Sequence, residues 1–188
     1  IVAMFGSVKS VYAVSGKGFS KRKKYIGKQV GREFSVDIPT FYSFIIKTKC
    51  GVIVTMNMSF DIWKSTLPLF EIYGTKGTMT VPDPNHHGGT PEIYRKEQKL
   101  EKCFGNDNPS DDHFYKIPEL EQDVGEYVRG MGVANLATAI KNNTQNTANV
   151  ELAIHVLEIM TGVMESAATG EAYQMKTCYD KLAGEYLP

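Results

Sequence analysis

The chain has 188 residues, 42% of them hydrophobic and 11% aromatic, which is enough for one sizeable core and sets the expectation of a single domain over 1–188. Lys+Arg and Asp+Glu both number 21, so no global charge argues for nucleic acid, an anionic membrane or a strongly charged ligand. No apolar run reaches the roughly 20 residues that span a bilayer, the N-terminus lacks a signal-peptide plan, and three cysteines (Cys50, Cys103, Cys178) without pair or zinc spacing make a reducing cytoplasm the default.

Taken in order, Ile1 to Gly6 reads as the last apolar turn of a helix stopped by glycine, so the chain is expected to be a piece of a longer protein. Val8 to Val14 alternates as a strand should. From Lys17 to Arg32 come seven basic residues and no acid, with Phe19 and Tyr25 interleaved, and the expectation is a solvated, mobile connection. The stretch Phe41–Phe60 is the organising one: two β-rich runs separated by Lys49-Cys50-Gly51. Tyr42, Phe44, Ile46, Val54, Met56 and Met58 fall on one face. Phe41, Ile45, Ile53 and Thr55 fall on the other, which is more apolar than a wet surface requires and is expected to be partly covered by another subunit.

A polar loop with the only tryptophan, Trp63, precedes a second hairpin, a strand over 69–73 and another over 78–81 around the turn Gly74-Thr-Lys-Gly77. That turn leads into a strand, whereas a phosphate loop feeds a helix, so it is not read as one. Glu92 to Arg95 offers another strand, and 99–113 is a polar loop. The period then changes to 3.6, with a short amphipathic helix through Val133, Leu136, Ala137 and Ile140. A long one follows whose stripe Val150, Ala153, Ile154, Leu157, Met160, Thr161, Met164, Ala167 and Ala168 is expected to lie on the sheet. Asn146 or Thr147 is its expected N-cap and Gly170 its stop, and a final strand covers 172–175. Hairpins followed by helices make an α+β domain: an open, mainly antiparallel sheet with helices packed on one face.

Residues that could carry chemistry are few. His86-His87 sits in a turn beside Gly88-Gly89, where adjacent side chains point apart and no ligand-spaced carboxylate follows, so no metal is expected. His155 on the long helix reads as a hydrogen-bonded packing histidine, and Asp111-Asp112-His113 as a solvated loop. No Gly-x-Ser-x-Gly elbow and no Gly-x-Gly-x-x-Gly fingerprint occurs; Gly16-Lys-Gly18 lacks the third glycine.

The run Leu69-Phe-Glu-Ile-Tyr-Gly-Thr-Lys-Gly-Thr78, continuing to Asn85, resembles a hairpin of the Gfo/Idh/MocA oxidoreductases, in their C-terminal domain. Phe5-Gly-Ser-Val-Lys-Ser-Val11, residues 129–140 and residues 151–170 match the same family in order. The resemblance implies a glyceraldehyde-3-phosphate-dehydrogenase-like C-terminal domain that supplies a wall of the substrate pocket and pairs subunits, as a homodimer or tetramer, through its open sheet. It implies NAD or NADP in the full-length protein, bound by an N-terminal Rossmann domain outside this chain, and a sugar, polyol or related small carbohydrate as substrate. The family's dinucleotide fingerprint, Glu-Lys-Pro lysine and Asp-x-x-x-His pair match no position here, so no catalytic and no cofactor-binding residue is carried over, and the chain by itself is expected to be inactive. Pocket candidates are Arg22, Lys24 and Tyr25 on the first loop, Trp63 after the hairpin, and His86 and His87. Alternatives are an NAD-dependent glycosidase of the same family and a non-catalytic assembly module.

Overall fold

Residues 1–83, 91–95, 115–116 and 130–179 are described by a computed structural model of the chain. Its elements run α1 (Val2–Phe5), β1 (Val8–Gly16), β2 (Lys21–Lys23), β3 (Glu33–Ser35), β4 (Phe41–Thr48), β5 (Ile53–Ser59), β6 (Glu71–Gly74), β7 (Gly77–Thr80), β8 (Glu92–Arg95), β9 (Tyr115–Lys116), α2 (Met131–Asn142), α3 (Val150–Thr169) and β10 (Tyr173–Gln174). They fall into two compact units, residues 1–64 with 132–188, and residues 65–131.

The first unit is built on the expected hairpin. β4 and β5 pair antiparallel with Phe44 opposite Met56 and Ile46 opposite Val54, and Gly51 turns the chain at φ +94°, a backbone conformation that costs a side chain dearly. β1 joins β4 on its other edge, and β10 adds two residues beyond it, giving the antiparallel order β10-β1-β4-β5. Val11, Ala13, Phe44 and Ile46 share the buried face and form the core with Ile159 and Val163 of α3. On the opposite face Tyr12, Val14, Ile45 and Ile53 stand exposed. Alternation thus separates the two faces as the sequence predicts, and the second carries these apolar side chains among the polar Ser43, Lys47, Thr55 and Asn57.

Helix α3 lies on the sheet with a different face from the expected one. Val150, Ile154, Leu157, Met160 and Met164 are exposed; His155, Ile159, Gly162, Val163 and Ser166 are buried. Apart from the row Glu151, Glu158 and Glu165 the helix carries apolar residues on more than one face, so periodicity offers two candidate stripes, and close approach decides between them. A Cβ on Gly162 would stand 2.6 Å from the ring of Tyr173, which shows how little room this seam leaves. The polar residues in the seam are buried because they are bonded. β10 pairs with only Ser10 and Val11 of β1, and beyond its ends the Val8 N–H donates to His155 Nε2 (3.0 Å) and the Ala13 N–H to Ser166 Oγ (3.0 Å). His155 is therefore the hydrogen-bonded packing histidine the sequence suggests. Its Nδ1 meets Thr177 Oγ1 at 2.8 Å. The N-cap is Asn149, not Asn146 or Thr147: its side chain accepts the Leu152 N–H at 2.8 Å, and Gly170 ends the helix in the left-handed conformation.

Lys17 to Arg32, expected as a mobile connection, is instead part of a two-stranded arm: Lys21 pairs with Ser35, Arg22 with Phe34 and Lys23 with Glu33. The second unit is an antiparallel meander, β6-β7-β8-β9, in which Ile72 faces Met79 and Met79 faces Ile93 across the ladder. Its first turn is Gly74-Thr-Lys-Gly77, and a strand follows, as read from the sequence.

Candidate functional site

The arm is fastened to the end of the central hairpin by one carboxylate. Asp61 follows β5, where its N–H donates to Ser59 Oγ (2.9 Å) and so turns the side chain back toward the sheet end. One carboxylate oxygen accepts from the Gly18 N–H (3.0 Å) and from the Thr40 hydroxyl; the other accepts from the Arg22 guanidinium. Arg22 also donates to the Phe60 carbonyl (2.7 Å), and its guanidinium lies 5.8 Å from the centre of the Phe19 ring. The Thr40 hydroxyl is the main influence on Asp61: with the Gly18 N–H and Arg22 it holds the carboxyl below its ordinary range, against the opposing effect of desolvation. Asp61 is an ionised acceptor and a fastener, with no proton to give near neutral pH.

Beside this clasp lies a cavity of about 610 Å³, lined among others by Lys21, Arg22, Tyr25, Phe60, Asp61 and Trp63. Its rim is aromatic and open: Trp63 is 93% exposed, Tyr25 83% and Phe60 82%. Rings left this wet cost solvation without gaining packing, the pattern of a surface that a ligand or partner covers. A larger groove of about 720 Å³ between α3 and the sheet, lined by Tyr42, Phe44, Met56, Met58, Met160 and Met164, is almost wholly apolar and offers little chemistry.

Of the residues singled out from sequence, Arg22, Tyr25 and Trp63 come together at the cavity. Lys24 does not line it; its ammonium donates to Gln29 Oε1 at 3.1 Å within the arm. His86 and His87 lie outside the described residues. Sequence reading missed Asp61, Lys21 and Phe60. A single acid after a strand carries no local signal, and its partner Arg22 is 39 residues away. Among the described residues no group of three or more His, Cys, Asp or Glu could hold a metal, and no helix is long and apolar enough to cross a membrane. The arrangement holds and orients a ligand; no described side chain is placed as an acid, base or nucleophile around it.

A family profile described as oxidoreductase family, C-terminal alpha/beta domain, matches residues 2–175. The chain belongs to the Gfo/Idh/MocA oxidoreductases. Solved structures agree with this domain's fold. Levoglucosan dehydrogenase in complex with NADH and L-sorbose superposes with a TM-score of 0.62 at 16% identity, over 91% of this chain and 46% of that one. An oxidoreductase domain protein from Kribbella flavida gives 0.60 at 16% identity, over 90% and 46%. An NAD-binding oxidoreductase from Klebsiella pneumoniae gives 0.60 at 16% identity, over 89% and 45%. This Gfo/Idh/MocA domain thus spans about half the length of the solved relatives it matches. The comparison with curated proteins gave no match. Neighbours of the domain include NAD-binding oxidoreductases and a sugar dehydrogenase.

Proposed function

We propose that this chain is the substrate-side and subunit-pairing domain of an NAD(P)-dependent oxidoreductase that acts on a sugar, polyol or related small carbohydrate. The observation that carries the reading is the cavity at the arm, where the open rings of Trp63, Tyr25 and Phe60 stand beside polar and charged groups. A polyhydroxylated ring offers apolar C–H faces and hydroxyls together, and such a wall suits both. Levoglucosan dehydrogenase, 46% of whose chain matches this one, is solved in complex with NADH and L-sorbose, and an oxidoreductase from Agrobacterium radiobacter, matched over 45%, in complex with NAD+, L-tartaric acid and magnesium.

The nicotinamide cofactor supplies hydride exchange when bound, and the described residues do not fit it. Gly16-Lys-Gly18 stands between β1 and β2, with no helix after it to receive a pyrophosphate. This chain's part is to orient the carbohydrate: Trp63 and Tyr25 cover its apolar side, and the Asp61 clasp holds the arm in place. Subunits pair through the apolar sheet face of Tyr12, Val14, Ile45 and Ile53.

The test uses the full-length protein with NAD and NADP against a panel of sugars and polyols. Trp63→Ala should raise KM about ten-fold with kcat little changed, because it removes binding contacts shared by ground and transition states. No reduction of either cofactor with any carbohydrate would overturn the reading. Thr55→Lys, midway along the edge strand β5 on the exposed sheet face and opposite Ile45, should lower the sedimenting mass without altering the circular dichroism; an unchanged mass would reject that face as the interface.

A further inference from the structure

The cavity's charges are not all neutralised from within. Arg22 is held by Asp61 and by the Phe60 carbonyl. Lys23 has Glu33 at 3.8 Å, a loose pair with both side chains more than half exposed. Lys17 donates to the Val36 carbonyl and Lys24 to Gln29. Lys21 lines the cavity, and its ammonium has no hydrogen-bond or ion-pair partner among the described residues. It stands in a stretch, Lys17 to Arg32, that holds seven cations and no acid, so the local field outside the clasp is positive although the chain is neutral overall.

Resting on the carbohydrate reading above, we infer that this cavity selects an acidic sugar or polyol, one bearing a carboxylate, with Lys21 as the residue that reads the charge. The aromatic rim takes the apolar face of the ligand, and the carboxylate meets the cavity-lining ammonium that has no partner among the described residues. A carboxylate fits this site better than a phosphate ester. Phosphate is taken by a helix N-terminus, a nest of backbone N–H groups or a free guanidinium fork. Here no described helix begins at the cavity, the Gly18 N–H is spent on Asp61, Arg22 Nη2 is taken by Asp61 and the Phe60 carbonyl, and Arg22 Nε is buried away from the cavity's solvent. A single ammonium on a flexible stem matches a monoanion.

The experiment compares glucose, glucuronate and glucose 6-phosphate as substrates of the full-length protein, wild type and Lys21→Gln, at low and high salt. Because a hydrogen bond to a charged group is worth enough to change binding by about ten-fold or more, kcat/KM for glucuronate should exceed that for glucose by at least about ten-fold. Lys21→Gln should bring the ratio close to one. Added salt should lower the preference, since the charge is exposed. Equal rates with glucose and glucuronate, or a preference that survives Lys21→Gln, overturn the assignment and leave the oxidoreductase reading standing. A gain confined to glucose 6-phosphate overturns the carboxylate assignment. Turnover of none of the three, with other neutral sugars oxidised, overturns it as well; turnover of no carbohydrate at all defeats the reading beneath it.

Discussion

Two carboxylates do similar work at opposite edges of the first unit, and their surroundings make them different devices. Glu158, on α3, gathers the tail: it accepts from the Tyr173 hydroxyl (3.1 Å), the Lys176 N–H (2.7 Å), the Thr177 N–H (2.8 Å) and the Thr177 hydroxyl. Asp61 gathers the arm through Gly18, Thr40 and Arg22. Glu158 sits beside the seam in which His155 and Ser166 bond the edge of β1, so breaking it disturbs the core. Asp61 ties down a small sheet of charged residues that buries little apolar surface, so breaking it frees the arm and leaves the core alone. One hub stabilises; the other positions.

That contrast can be broken at several points. The largest effect belongs to His155→Ala, which leaves the Val8 N–H without its acceptor in a fully buried place and opens a cavity. About 3 kcal/mol should be lost, and a melting temperature lower by about 6–12 °C in calorimetry, given roughly 2–4 °C per kcal/mol for a domain of this size. A drop of less than about 2 °C would mean that the seam is not what holds α3 to the sheet. Gly162→Val comes next. Its side chain would press into the Tyr173 ring and cost about 1–3 kcal/mol through overpacking, although valine outranks glycine in helix propensity. A more stable variant would show that the seam has slack.

The acid limb of the stability curve sharpens the comparison. Burial pushes the Glu158 carboxyl up, but the hydrogen bonds from Thr177, Lys176 and Tyr173 outweigh it and bring the value down from 4.5 to about 2. Its folded value lies below its unfolded one, so the stabilisation is fully present above pH 4.5 and is lost as the pH falls toward about 2. After allowance for solvent screening the contribution is about 1–2 kcal/mol, and Glu158→Gln should flatten that part of the curve in denaturant titrations. An unchanged slope would assign the acid sensitivity elsewhere. The smallest effect on melting is expected from Asp61→Asn, which frees an arm that buries little apolar surface and should shift it by no more than about 2 °C, yet speed tryptic cleavage in the lysine-rich arm several-fold. If cleavage stays slow, Asp61 does not hold the arm.

Much of the scaffold could be read from the chain because it rests on local periodicity. The alternation through Tyr42, Phe44 and Ile46 encodes a strand with one buried face, and the glycine at 51 encodes its turn. His155 was recognisable as a packing residue because a single imidazole among apolar neighbours has few other uses. The arm was not legible: Lys21-Arg-Lys23 and Glu33-Phe-Ser35 alternate nothing apolar, and they pair in the fold in which Asp61 and Thr40 grip the strand next to them. The same holds for the cavity, whose members Arg22 and Trp63 were picked out by residue type, while Lys21 and Asp61 acquire meaning only as neighbours of those two.

Outside the arm, the sequence by itself determined the element types, the antiparallel character of the sheets and the oxidoreductase family, since these follow from short-range pattern and motif order. Only the tertiary structure decided which face of α3 is buried and which residues come together around the cavity. A helix with apolar residues on more than one face presents two candidate stripes until a glycine, a serine and a histidine meet a particular strand edge. A salt bridge across 39 residues likewise exists only after the loop between its partners has closed.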